Sequence, residues 1–173
     1  MLVSIIIPVH KTIDFFKSCV TSALSQTYKN IEIIIACNGV LEVQECKEFL
    51  NIEDPRIIYL KTKAGRHNAR NEALLIAKGN FVQFLDYDDL LFVNKLAVQL
   101  ALIKGNPTNL VSITKWKKFN TNIEEDYNFP FELMFDEKNI AIGRLIGKLG
   151  KSGGFIATSS WIVSRDLIVG IEW

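Results

Sequence analysis

Gly79-Asn80-Phe81-Val82-Gln83-Phe84-Leu85-Asp86-Tyr87-Asp88-Asp89 is the stretch that decides the fold. Four of the five residues from Phe81 to Leu85 are apolar, and three carboxylates follow between positions 86 and 89. A run this apolar suits a strand buried on both faces of a parallel sheet. Asp86 and Asp88 therefore belong at the mouth of the strand and not inside the sheet. Upstream, Arg66–Lys78 places Ala69, Ala73, Ile76 and Ala77 at helical spacing, with Gly79 just past its end.

Working outward, the apolar period switches repeatedly between strand and helix. Towards the N-terminus, Leu2–Val9, Ile31–Ala36 and Ile57–Leu60 are strands, the second stopped at Asn38-Gly39. Ile13, Phe16, Val20 and Leu24 mark a helix with Thr12 as N-cap, and Val43, Cys46 and Phe49 a short one. Towards the C-terminus, Leu91–Lys104 is helical and Leu110–Thr114 is a strand. Beyond residue 116 the alternation fails. Lys117–Pro130 is polar, a loop or small hairpin; Asn139–Leu149 carries a helical stripe; Phe155–Val163 is a strand. Strands alternating with helices imply a three-layer α/β/α fold around a mostly parallel, Rossmann-like sheet.

The chain has 173 residues, the length of one domain. Residues 1–115 hold the alternating part and residues 116–173 a looser annex on the same sheet. Hydrophobic residues make up 49% of the chain, which excludes a disordered or collagenous class. A net charge of +1 gives no basic footprint for nucleic acid. Cys19, Cys37 and Cys46 form no CxxC pair, which argues against a zinc site or disulfide framework and for a reduced, intracellular setting. The apolar start lacks a basic n-region, and no window is long enough to span a membrane.

Ligands of open α/β sheets bind beyond the carboxyl ends of the strands. Pro8-Val9-His10, Cys37-Asn38-Gly39 and Asp86-Tyr87-Asp88-Asp89 follow strands one, two and four and should meet on one rim. Three adjacent carboxylates repel one another unless a positive charge intervenes. A hard divalent cation, Mn²⁺ or Mg²⁺, supplies it, held by one or two carboxylates together with substrate phosphates. The expected ligand is a diphosphate. The competing reading makes Asp88-Asp89 a cap for the helix near Leu91. Gly65-Arg66-His67-Asn68-Ala69-Arg70-Asn71 opens a helix with basic residues, suited to phosphate. GxGxxG and P-loop signatures are missing, so dinucleotide binding and P-loop hydrolysis lose their main marker. His10 offers a surface for a base, and Cys37 reads as a small apolar residue.

These residues carry a resemblance. Ser4–His10, Ser22–Ile34, Gly65 with Ala69-Arg70-Asn71, and Ala77–Asp89 together resemble the inverting family 2 glycosyltransferases of the GT-A fold. The resemblance is dense from residue 2 to residue 100 and looser beyond. It implies a nucleotide-diphosphate-sugar donor, a divalent metal, and a saccharide or lipid-linked acceptor, with residues 1–115 as the nucleotide-sugar-binding part and residues 116–173 as a partial acceptor-side part. The setting it suggests is surface polysaccharide or glycoconjugate biosynthesis, in the cytoplasm or peripherally at the inner face of the membrane. By the same resemblance Asp88 contacts the metal and Asp86 the ribose or donor-sugar side. Pro8 and His10 flank the base, and Asn38 stands where the family has a base-contacting aspartate. Arg70 falls in the Ala-Arg-Asn segment and serves the donor or the fold.

Two departures stand out. Cys37-Asn38-Gly39-Val40 replaces the usual Asp-Asp-Gly-Ser, so an amide stands for a carboxylate. The general base of this family follows a segment resembling Thr158–Ile168, which would put it beyond Trp173; Glu172 comes too early. A truncated or non-catalytic nucleotide-sugar-binding module is therefore the alternative reading.

Overall fold

The structure is a computed structural model that describes residues 1–103, 111–119 and 156–171. The strands are β1 (Val3–Val9), β2 (Ile31–Asn38), β3 (Ile57–Thr62), β4 (Phe81–Phe84), β5 (Val111–Ile113) and β6 (Trp161–Ser164). The helices are α1 (Asp14–Leu24), α2 (Val43–Leu50), α3 (Arg66–Ile76), α4 (Lys95–Leu102) and α5 (Arg165–Ile168). The sheet order is β3-β2-β1-β4-β6-β5. β1 pairs in parallel with β2 and β4, and β2 in parallel with β3. β6 runs antiparallel to both β4 and β5. It follows that β5 points the same way as β4.

β1 and β2 are buried along their full length because both faces of the sheet are covered. On one face Ile5, Ile7, Ile33 and Ile35 pack with Phe16 and Val20 of α1, Leu50 of α2 and Leu96 of α4. On the other, Ile6, Ile34 and Val82 pack with Ala69, Ala73 and Leu74 of α3. The three-layer arrangement expected from the alternation is thus the one observed. Small alanines on α3 bring that helix close to the sheet. Where α3 ends, the Glu32 carboxylate is buried and accepts hydrogen bonds from Ser4 Oγ (2.5 Å) and the Lys78 N–H (2.6 Å). The Gly79 N–H donates to Ser4 Oγ at 2.8 Å.

Several boundaries differ from the expectations. Ile13, not Thr12, flanks the start of α1, and no side chain caps it. β4 ends at Phe84, although the Leu85 N–H still reaches Ile6 O at 2.9 Å. α4 begins at Lys95, with Asn94 at its N-cap position. Residues 85–94 form a loop instead, so Asp88 and Asp89 do not cap a helix at Leu91. β6 is confined to Trp161–Ser164 because Thr158–Ser160 winds into a 3-10 turn. The helix expected over Asn139–Leu149, most of the polar run after Phe119, and Glu172 lie outside the described residues.

Candidate active site

The strand order places the site. The chain runs from β1 outward to β2 and β3, then returns to set β4 on the other side of β1. The carboxyl ends of β1 and β4 therefore flank a topological switch point, the crevice where open α/β sheets bind ligands. His10 leaves β1 there, and Asp86 to Asp89 leave β4. The His10 ring meets the Tyr87 ring edge-on, with centroids 5.1 Å apart. One strand further, Asn38 ends β2 and its Oδ1 accepts the Gly65 N–H at 3.4 Å. Gly65 has φ +111°, in the region that favours glycine, as the chain turns from β3 into α3.

Asp86 is held by an arginine. Arg70 Nη2 lies 2.5 Å from Asp86 Oδ1, with the arginine side chain 6% exposed and the aspartate 37% exposed. The sequence reading offsets the carboxylate cluster with a divalent ion and leaves Arg70 to the donor or the fold. In the structure the Arg70 guanidinium also offsets Asp86 and fixes its orientation from the second turn of α3. Cys19 Sγ donates to the Asp86 carbonyl from below at 3.4 Å. Burial, reinforced by the three aspartates, pushes the Cys19 thiol well up.

Asp88 and Asp89 differ although adjacent. Asp88 is exposed at the crevice. Burial pushes the Asp89 carboxyl up, aided by Asp86 and Asp88 and opposed by a hydrogen bond from Ser159. Hard carboxylate oxygens on Asp88 suit Mg²⁺ or Mn²⁺. Among the described residues no three His, Cys, Asp or Glu side chains are grouped closely enough to hold an ion by themselves. An ion at Asp88 would therefore need further ligands, and Arg70 leaves Asp86 only partly free to supply one.

The crevice opens into a cavity of about 1020 Å³ bounded by three loops. Lys11, Ile13 and Phe15 follow β1; Asp86 to Phe92 follow β4; Thr114 to Phe119 follow β5. The 3-10 turn before β6 closes it with Ser159 and Ser160. Beneath lies a polar cluster that the sequence reading missed. Buried Lys95 donates to Gln83 Oε1 and, at 2.6 Å, to Gln99 Oε1. Gln83 Nε2 donates to Ser159 O at 3.0 Å, and Gln99 Nε2 to Ser112 O at 3.0 Å. The signal was present: Gln83 interrupts an otherwise apolar strand. Tyr87 was missed as well, since nothing in sequence pairs it with His10. Cys37 is buried in the core as expected, but its sulfur lies 2.9 Å from that of Cys46. This thiol contact, with burial, pushes the Cys46 thiol up.

Comparison with known proteins bears on the fold and the family. WfaP of Escherichia coli, a UDP-Glc:alpha-D-GlcNAc-diphosphoundecaprenol beta-1,3-glucosyltransferase, is 45% identical over 102 residues, 57% of this chain. The chain spans less than two thirds of such relatives, 40% of WfaP and 23% of another, GlyA of Streptococcus pneumoniae. The structure of S. aureus TarS 1-349 in complex with UDP-GlcNAc superposes with a TM-score of 0.70 at 20% identity, covering 98% of this chain and 47% of that one. The mannosyltransferase PcManGT of Pyrobaculum calidifontis, in complex with GDP-Man and Mn2+, gives 0.53 at 19% identity over 66% of this chain and 35% of that one. Both structures share the fold, a GT-A type nucleotide-sugar transferase fold. The family description Glycosyl transferase family 2 matches residues 4–168, spanning every strand and the whole carboxyl rim. The chain belongs to that family.

Proposed function

We propose that this chain forms the donor-binding core of an inverting, metal-dependent glycosyltransferase. It takes a nucleotide-diphosphate sugar and passes the sugar to a saccharide or lipid-linked hydroxyl in surface polysaccharide or glycoconjugate synthesis. The observation that carries this reading is the Arg70–Asp86 pair beside exposed Asp88 at the switch point, opposite His10. WfaP supports the choice of a UDP-sugar and a diphosphate-lipid acceptor. The donor complexes of TarS and PcManGT support a nucleotide sugar, and the latter a divalent metal.

Each residue then has a task. Pro8 and His10 flank the base, with Tyr87 buttressing the imidazole, and Asn38 meets the base edge. Asp86, oriented by Arg70, addresses the ribose or donor sugar. Asp88 would hold Mn²⁺ or Mg²⁺, which when bound offsets negative charge on the departing diphosphate. Deprotonating the acceptor needs a general base, and no described residue is assigned to it.

Titration calorimetry with UDP and GDP, with and without Mn²⁺, tests the reading. Tight binding that depends on Mn²⁺ is expected. Asp88→Ala should weaken it about 100-fold, the upper range for loss of a residue supporting a metal. Asp88 is exposed, so the fold should persist. Binding indifferent to chelator would refute the metal assignment. A second reading, nucleotide-sugar binding without transfer, is favoured by the amide of Asn38 in place of a carboxylate. Donor binding with no release of nucleoside diphosphate in any acceptor mixture would support it.

A further inference from the structure

The carboxyl rim carries its charges in order along the sheet. From β2 to β5 come Asn38, then His10, then Asp86 to Asp89, then the 3-10 turn, then Lys115-Trp116-Lys117-Lys118. β5 is two strands beyond β4, so at about 4.8 Å per strand the lysines leave the sheet roughly 10 Å from the aspartates. They line the same cavity as Asp86 and Asp88. Base-side residues sit at one end of this row and the lysines at the other. A chain of net charge +1 thus gathers three cations on one wall of its cavity. Among the described residues no carboxylate is ion-paired with Lys117 or Lys118. Lys117 is half-buried, as are Trp116 and Phe119 around it. The segment is tied across the cavity: the Phe119 ring meets Phe15, in the first turn of α1, with centroids 6.5 Å apart.

We infer that this wall is the acceptor subsite and that it takes an anionic acceptor, a saccharide bearing a phosphate or diphosphate ester. The inference rests on the transferase reading above. It assigns the anion to the β5 loop because the donor diphosphate has its own offset at Asp88 and its ion. Two or three ammonium groups on one wall suit the spread charge of a diphosphate, and Trp116 with Phe119 offers apolar surface to the adjoining ring or chain. The ester group has two sources, a membrane lipid diphosphate or a soluble sugar phosphate.

The test measures binding without turnover, using the full chain. Three probes are titrated: a short-chain prenyl diphosphate N-acetylglucosamine, N-acetylglucosamine 1-phosphate, and the neutral octyl glycoside of the same sugar. The anionic probes should bind about tenfold or more tightly than the neutral one. Lys117→Gln/Lys118→Gln should remove that difference and leave UDP–Mn²⁺ affinity within twofold. Prenyl diphosphate binding well above sugar phosphate identifies the lipid source, and equal binding the soluble one. Equal affinity for neutral and anionic probes overturns the inference. So does a double variant that weakens UDP and acceptor alike, since the lysines would then serve the donor. The UDP titration stands apart: if UDP does not bind while anionic sugars do, the donor reading fails and the anion site survives.

Discussion

The two halves of the sheet are built by different rules. From β3 to β4 the strands are parallel, and β1 and β2 are buried on both faces by isoleucines and valines. From β4 to β5 the strands are antiparallel and only three or four residues long. Phe81, Val82, Phe84, Ile162 and Val163 still pack into the core there, but Gln83, Lys95 and Gln99 add a buried polar cluster among them. The first half is a stiff floor beneath the end of the crevice proposed for the nucleotide. The second joins its strands through side-chain hydrogen bonds, each worth about 1 kcal/mol net. Stability thus resides under the proposed donor end, while the wall proposed for the acceptor is cheaper to remodel.

The largest expected effect breaks the comparison if it fails. Ile34 is fully buried between helix layers, whereas Ile113 on β5 is half-exposed. Ile34→Ala should cost about 4 kcal/mol and Ile113→Ala about 1 kcal/mol, by the cavity and transfer costs of truncation. Urea unfolding of both variants measures the difference. Equal losses would mean that the two halves contribute alike.

A second substitution probes the seam between α3 and the floor. A Cβ on Gly79 would lie 2.5 Å from the Ser4 backbone nitrogen and 2.7 Å from the Phe81 carbonyl oxygen. Backbone atoms on both sides leave no flexible group to move aside. Gly79→Ala should destabilise by about 3 kcal/mol, at the upper end of ordinary overpacking costs. The Ser4–Glu32 knot would open with it. A thermal melt checks this, and an unchanged midpoint would show that the seam is loose.

The same contrast explains what was legible in sequence. The floor writes itself as unbroken β-branched runs at Leu2–Val9 and Ile31–Ala36, because both faces need the same residue type. The alternation with helices then gives the layers. The rim was legible wherever a run ended in polar residues, at His10, Asn38 and Asp86 to Asp89. Partners across the fold were not. Arg70 meets Asp86, and Tyr87 meets His10, only because α3 and the β4 loop fold back over the switch point. The helix start after β4 was misplaced because Leu91, Phe92 and Leu96 share helical spacing while Leu91 packs as part of the loop. β5 and β6 were legible too, within Leu110–Thr114 and Phe155–Val163, but the start of β6 was not, since Thr158–Ser160 winds into a 3-10 turn before it.

The smallest effect sharpens the comparison through pH. Burial pulls the Lys95 ammonium down to about 7, against an unfolded value near 10.4. Between these values the unfolded chain binds more protons than the folded one, so stability must rise with pH, by up to about 1.4 kcal/mol per unit for one group. Below pH 7 both states hold the proton and the cost of burying the charge is constant. The buried thiols of Cys19 and Cys46 are pushed up and act in the opposite sense once unfolded cysteines ionise near pH 8.5. The contact with Cys46 pulls the Cys37 thiol down, which acts in the same sense as Lys95, so the Lys95 share of the slope is the part that Lys95→Met removes. Urea midpoints from pH 7 to pH 8.5 should climb more steeply for the native chain than for Lys95→Met, which keeps the side-chain length and removes the titration. An equal climb in Lys95→Met would place the titrating group elsewhere. A flat native profile would mean that the hydrogen bonds Lys95 donates to Gln83 and Gln99 hold the ammonium charged through the range. The polar half would then be as firmly set as the apolar one.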